Sequence, residues 1–564
     1  MIPVEGRQKL GAHARQGAVL GLILGVLILP VLAGLWDTLR SAFGVSPILG
    51  RSTPSLAPWL ELFDLAGVAR SLRLSLVTGV GSTLISLCIA IGTCAALGGR
   101  MPPLLTRGLA PFLAVPHAAM AVGLAFLLSP SGWIARLLAP AFDWAVPPQI
   151  ATVNDPLGIA LMMGLVVKET PFLIFVILSA QAQIPTRQYL AVGASLGYAR
   201  GAAWIKLVAP SVWPLIRLPV LAVLSYALSN VDMALILGPS SPPSFAVAVM
   251  RWFTAPDLLM TLPASAGAIL QAALVAGVWG ALIGAERVIA RLGRIWLRRG
   301  ARGAMLSGAV RGAALFCAAL FVAGTLAILS LAIWSITWRW SFPLILPESI
   351  SLRPWAQSSG WPSALKTTLT LAIGAVGMSL AMAILWLEAE DRGKLRLPVW
   401  ILYLPLIVPQ IGFLYGLQSS FLRASLPHGM IAVIWAHSLF VFPYIMLALR
   451  DPWRNLDARH RSAAASLGAG PMRRLLRVKL PMLLAPILAA CAIGVAVSVA
   501  QYLPTLFMGA GRIVTLTTEA VTLSSGSDRR ITGVFAALQA SLPLLAYLAA
   551  FAIPRWRARH FSRI

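Results

Sequence analysis

Charge is scarce in this chain, acidic charge most of all: its 564 residues include 18 Asp and Glu against 45 Lys and Arg, and charged residues total 11%. A soluble domain holds about 25%, so that class is excluded. Hydrophobic residues make up 59% and mean hydropathy is +0.84, a bilayer composition. Cysteine is as rare. Cys88, Cys94, Cys317 and Cys491 all fall in apolar runs without metal-ligand spacing, so they read as small buried hydrophobes rather than disulfides or ligands. The acids of the expected outer loops, Asp37, Glu61, Asp64, Asp143, Asp155, Asp257, Glu348, Glu519 and Asp528, form no recurring pair and no histidine cluster. A polytopic membrane enzyme, such as a lipid-linked glycosyl transferase, needs convergent carboxylates or a metal at one face, so no catalytic residue and no metal site is assigned. No G-x-x-x-x-G-K-[ST] phosphate loop occurs, so any ATP used must be hydrolysed by another polypeptide.

What is present is a series of apolar runs long enough to cross about 30 Å of hydrocarbon as helices. About twelve are expected, near 17–36, 71–97, 108–128, 157–180, 213–238 and 262–285, then 312–337, 364–388, 398–420, 429–449, 482–509 and 531–553. The first run is longer than a signal-peptide core and lacks a clear cleavage site, so it is expected to be retained. With the N-terminus inside, about 31 of the basic residues lie inside and about 12 outside. That bias sets both termini in the cytoplasm. The formal net charge of +27 is then a topology signal directed at lipid headgroups, and no nucleic-acid partner is expected. The domain division follows: a first core over 1–290, a basic cytoplasmic linker over 291–311 and a second core over 312–564.

The two halves repeat. Ala191–Pro210 reads AVGASLGYARGAAWIKLVAP, and Ser462–Pro481 reads SAAASLGAGPMRRLLRVKLP. Each contains A-S-L-G, at Ala194–Gly197 and Ala465–Gly468, and each has a proline at the same distance beyond the glycine, Pro210 and Pro481. Each falls on the inner side between the fourth and fifth runs of its half, near 186–212 and 450–481. Two halves that both start inside make a parallel repeat about an axis normal to the membrane. Small residues permit close approach of a partner, glycine supplies a turn with positive φ, and proline interrupts a helix.

These segments resemble the E-A-A-x-x-x-G loop, ending in I-x-L-P, of binding-protein-dependent importer permeases of the ABC superfamily. The resemblance covers nearly the whole chain. It implies an all-α polytopic membrane protein of the type I importer permease fold, with two parallel six-helix repeats in the bacterial inner membrane. It also implies a non-catalytic subunit that docks a cytoplasmic ATPase dimer and receives solute from a periplasmic binding protein. ATP and Mg would belong to the ATPase, with no cofactor on this chain. The implied docking residues are Ala191, Gly193, Ala194, Leu196, Gly197 and Pro210 in the first loop, and Ser462, Ala463, Ala464, Leu467, Gly468 and Pro481 in the second. Gly197 and Gly468 would be the turns, and the two prolines would end the second short helices. The usual glutamate is absent: Ala191 and Ser462 stand in its place. Arg473, Arg474, Arg477 and Lys479 surround the second loop, either pairing with the ATPase or holding the loop inside.

Polar residues within apolar runs default to functional hypotheses. The pathway candidates are Lys168 and Glu169 in V-V-K-E-T-P-F, Asn230 and Asp232 in S-N-V-D-M, His437 in W-A-H-S-L-F, and Gln501 and Tyr502 in V-A-Q-Y-L-P. Each is weighed against an interhelical hydrogen bond. On the outer side, Trp338, Trp340, Trp355 and Trp361 read as an interfacial belt rather than a cation cage. The outer segment with Glu519, Asp528, Arg529 and Arg530 is expected to face the binding protein, and salt bridges to it are weighed against plain solvation of these charges. Overall resemblance places thiamine or a similar polar organic solute first and ferric iron second. An ion-coupled secondary transporter is the remaining alternative, and it has no use for twin docking loops.

Overall fold

The computed structural model describes residues 4–98, 109, 111–300, 302–392, 404–526 and 528–561. Ten of their helices are long and apolar enough to cross a membrane, and an eleventh span is a pair, Pro471–Met482 and Leu484–Val499, bent by 77°. The remaining expected run, 398–420, begins outside the described residues and continues as Leu404–Ile407 and Gln410–Arg423. The start of the expected third span, at 108, also lies outside them. The linker expected over 291–311 is largely helix: Thr261–Arg298 runs into it from one side and Ala304–Ile336 from the other.

The third span is broken in both halves at a Val-Pro step. His117–Leu128 starts after Val115-Pro116, and Gln410–Arg423 after Val408-Pro409. Proline has no N–H to give, and it drives the residue before it out of the α region. The fifth spans break as well. Ala209–Ser229 stops at Asn230 and resumes as Asp232–Leu237; Leu484–Val499 stops at Ala500 and resumes as Leu503–Met508. In each half a short helix follows, Phe245–Phe253 or Leu516–Ser524. A second-span hydroxyl caps its start: the N–H of Phe245 donates to Ser75 (2.8 Å) and that of Leu516 to Thr368 (3.0 Å). The sixth span supports the fifth-span break. Gln271 donates to the carbonyl of Leu228, and Gln539 reaches that of Val499 through Thr517.

The first span of each half packs against the third span of the other half. Small residues permit these crossings. A Cβ on Gly416 would lie 1.9 Å from the carbonyl oxygen of Gly34, and one on Gly123 would lie 2.4 Å from that of Ala327. Gly34 corresponds to Ala327, and Gly123 to Gly416, under the register that also matches the two Val-Pro steps. The crossings are one contact made twice, and they interlock the halves.

The end opposite the twin loops is less symmetric. The first half has a longer excursion there, including the helix Trp133–Leu138. Its Arg136, only 2% exposed, donates to the carbonyls of Ser341 and Leu344 (both 2.7 Å) and of Trp340 (3.2 Å) in the second half, and to Ser131 in its own. The guanidinium also lies 4.8 Å from the ring centre of Trp340. Arg353 and Arg530 lie over Trp338 at 5.1 and 4.9 Å. Trp338, in the strand Thr337–Arg339, and Trp340 just beyond it thus carry the chain's own arginines as well as lying in the expected belt segment. Arg530 also pairs with Asp528, and its hydrogen bonds hold that carboxyl below the usual carboxylate range. Replacing Arg136 by leucine would strand buried carbonyls at this clamp. The expected cost is about 2 kcal/mol, read as a lower thermal midpoint in detergent with membrane insertion unchanged.

Candidate functional site

The twin loops have one backbone. Thr186–Ser195 leads into Gly197 at φ +75°, and Ala458–Ser466 into Gly468 at φ +76°. In the first loop Gly197 N–H donates to Ala194 and Tyr198 N–H to Gly193; in the second Gly468 N–H donates to Ala465 and Ala469 N–H to Ala464, all at 3.0 Å. This is the left-handed helix stop that glycine adopts without strain. A second short helix follows, Arg200–Ala203 or Pro471–Arg474. Then comes a π-helical stretch at matching positions, Trp204–Val208 and Leu475–Lys479.

Pro210 does not end the second helix of its loop. The helix continues from Arg200 to Ser229 as part of the fifth span. Proline removes one backbone donor and crowds the carbonyl four residues earlier, here Lys206. The widened π turn takes up that mismatch without a break. In the second half the helix bends by 77° beyond Pro481. Both loops therefore join the broken fifth spans through a π stretch.

Ala191, Ala194, Gly197, Ser462, Ala463, Gly468 and both prolines are exposed, Ala464 is half-buried, and Gly193 is buried. A Cβ on Gly193 would meet that of Ala203 at 2.6 Å, so this glycine lets the two arms of the first loop close. Leu196 and Leu467 are 58% and 87% exposed, an apolar knob at each tip.

The two loops are braced differently. The first leans on the connection between the halves, where Arg302 lies against Gly197 and Gly303 against Ala202. Its buried Lys206 lies 4.7 and 4.3 Å from the ring centres of Tyr198 and Trp296. The second loop is tied to the acidic end of the second span. Lys479, 4% exposed, pairs with Glu388 and with Asp391 (2.8 Å); Arg461 reaches Asp391 (3.0 Å) and Arg454 reaches Glu390 (2.8 Å). Trp453 and Trp386 donate to Asp391 and Glu390 (both 3.1 Å). Lys479 thus serves inside the chain. Sequence reasoning missed these three acids, although the run E-A-E-D stands out in a chain so poor in acids.

The pathway candidates separate into two groups. Glu169 accepts from His117 (3.1 Å), whose ring centre lies 4.4 Å from that of Tyr226. Tyr226 donates to Asp232 (3.2 Å), as does the Asn230 amide (2.9 Å), and Asn230 Oδ1 accepts the N–H of Ala234. Glu169, Asn230 and Asp232 therefore meet, together with His117 and Tyr226, which sequence reasoning did not select. Tyr502 stands at the matching break of the second half. His117 directly follows a Val-Pro step in an apolar run, and that was its one sequence signal.

Lys168 points elsewhere. Its ammonium donates to the carbonyls of Phe112 and Val115 (both 2.6 Å), satisfying the broken third span. His437 is 2% exposed with both ring nitrogens engaged, at 2.9 Å from Ser498 and from Thr505. With Gln501 it lines a narrow crevice that also includes Thr368 and Thr515. Among the described residues no group of three His, Cys, Asp or Glu is placed to hold a metal ion.

Comparison with known proteins agrees with this architecture. Residues 378–560 match the family model described as "Binding-protein-dependent transport system inner membrane component". The inner membrane ABC transporter permease protein YnjC of Escherichia coli is 32% identical over 515 residues, covering 91% of this chain and 92% of that protein. The thiamine transport system permease protein ThiP of Salmonella typhimurium is 29% identical over 166 residues, 28% of this chain and 30% of that protein. The molybdenum transport system permease protein ModB of Haemophilus influenzae is 26% identical over 157 residues, 25% of this chain and 68% of that protein.

Proposed function

This chain belongs to the permease subunits of binding-protein-dependent ABC transporters, and from that premise we propose that it imports a small solute across the bacterial inner membrane. As a permease subunit it is not itself an enzyme. Partner ATPase subunits would bind ATP and Mg and dock at the two loops, which face the cytoplasm with both termini. A periplasmic binding protein would deliver solute at the opposite end. The observation that carries this reading is the pair of exposed helix–glycine–helix loops with the same backbone, each continuous with a broken fifth span.

A closing ATPase dimer moves whatever is seated on it, and here both seats lead directly into the fifth spans. Asn230, Asp232, Gln501 and Tyr502 lie at or beside these breaks, and such movement would open or close a path between the halves there. A polar organic solute, thiamine first, is the substrate reading; the partial match to ThiP supports it. Ferric iron is the second reading. The test is uptake into proteoliposomes holding this chain and its ATPase, with a binding protein supplied outside. Thiamine should enter only with ATP inside, and Asp232→Ala should reduce uptake at limiting solute by about tenfold. Uptake driven by an ion gradient without ATP would instead support a secondary transporter.

A further inference from the structure

Two carboxylates, Glu169 and Asp232, lie inside the membrane-spanning bundle at 6% and 9% exposure. Their recorded partners are His117, Tyr226 and Asn230. No lysine or arginine pairs with either among the described ion pairs, and the adjacent Lys168 is turned onto carbonyls. The cluster sets two acids against one titratable base, in a layer where a chargeable side chain is costly without a partner and defaults to a functional hypothesis. Its rim is aromatic and partly open: the His117 side chain is 26% exposed, and Tyr226 is half-buried.

The second half does not repeat this chemistry. The registers that match the Val-Pro steps and the loop glycines pair His117 with Gln410, Glu169 with Phe440, Tyr226 with Val497, Asn230 with Gln501 and Asp232 with Leu503. No charge stands at any of the five. A folding role would not need it either, since Asn230 alone caps the resumed helix at Ala234.

We propose that Glu169 and Asp232, with His117 and Tyr226, form a single site within the membrane for a monovalent organic cation. The first half supplies the whole of it. Paired carboxyl groups do not suit an anion. A bare metal ion lacks its cage, because the two acids are held in separate hydrogen-bonded pairs. Ring faces beside carboxylates suit a diffuse cation better than a compact one. This site rests on the permease reading and gives it a substrate class.

The test uses the full chain with its ATPase in lipid nanodiscs, titrated calorimetrically with thiamine, choline and tetramethylammonium in turn. The expected result is saturable binding of at least one of them at one per chain. Glu169→Gln and Asp232→Asn should each weaken it at least about tenfold. Tyr226→Leu should weaken it about fivefold while Tyr226→Phe, which keeps the ring, should not. That split separates ring–cation contact from a purely structural hydroxyl. Where a variant fails to retain the ATPase, His117→Leu tests the same site from the third span, and unchanged affinity there would overturn the proposal. It is also overturned by two cations per chain, by affinity indifferent to both carboxylates, or by no binding of any probe to a chain that still holds its ATPase. A wild-type chain that holds no ATPase would overturn the permease reading instead.

Discussion

Replacing Gly468 by valine is expected to cut ATP-driven uptake at least about tenfold, the effect of roughly 1.4 kcal/mol on the coupled step, while insertion and thermal stability stay unchanged. Gly468 has φ +76° and nothing within 4 Å of a built Cβ, so packing is not what the valine disturbs. A left-handed conformation costs an ordinary L-residue about 1–2 kcal/mol, and β-branching adds to that. The loop escapes the strain by leaving the conformation, which redirects the exposed Leu467 and the second short helix. Gly468→Asn should retain most uptake, because asparagine tolerates this region. Uptake by the valine variant equal to wild type would remove the second loop from the coupling path.

Lys479→Met carries the other large effect, this time on stability. The Lys479 side chain is 5% exposed and pairs with Glu388 and Asp391. Methionine fills the space of the stem but leaves two partly buried carboxylates without that ammonium. Breaking a buried pair from one side costs about 3 kcal/mol, read as a lower unfolding midpoint in detergent. Asp391 keeps Arg461 and Trp453, which bounds the loss at that carboxylate. Adding Glu388→Gln to Lys479→Met should recover part of the loss. Arg461→Ala, on a more exposed pair, should change stability by less than about 1 kcal/mol. Equal effects from the Lys479 and Arg461 variants would mean that burial does not strengthen this network.

The twin loops were legible because their cues are local. A-S-L-G and a proline at fixed distance recur at the same place in each half, and glycine in a helix-stop position has few other uses. The spans were legible from apolar length, but their breaks were not. Val115-Pro116 and Val408-Pro409 sit inside continuous apolar runs, and hydropathy does not report a lost backbone donor. The exchange of first spans was hidden for a related reason: an apolar stripe says that a helix face is covered, not which half covers it. The packing of each first span on the third span of the other half reveals it, with close approaches at Gly34, Gly123 and Gly416. Lys168 shows the limit of reading charge alone. In sequence it looks equivalent to Glu169, yet one satisfies broken backbone and the other faces His117. Pro210 misled because its donor loss is absorbed by a π stretch whose presence no single residue announces.

The two loops, alike in backbone, are set in unlike surroundings, one against the connection between the halves and the other against Glu388, Glu390 and Asp391. Two ATPase subunits docked there would pull on differently anchored levers. The most direct measurement is native mass spectrometry of the chain purified with its ATPase, with Leu196→Cys and Leu467→Cys variants cross-linked to the subunit they touch. Two ATPase subunits per chain, each captured through one of these tips, is the expected result. A chain that retains no ATPase, or retains it with neither tip in reach, would contradict the assignment of the twin loops as its docking sites.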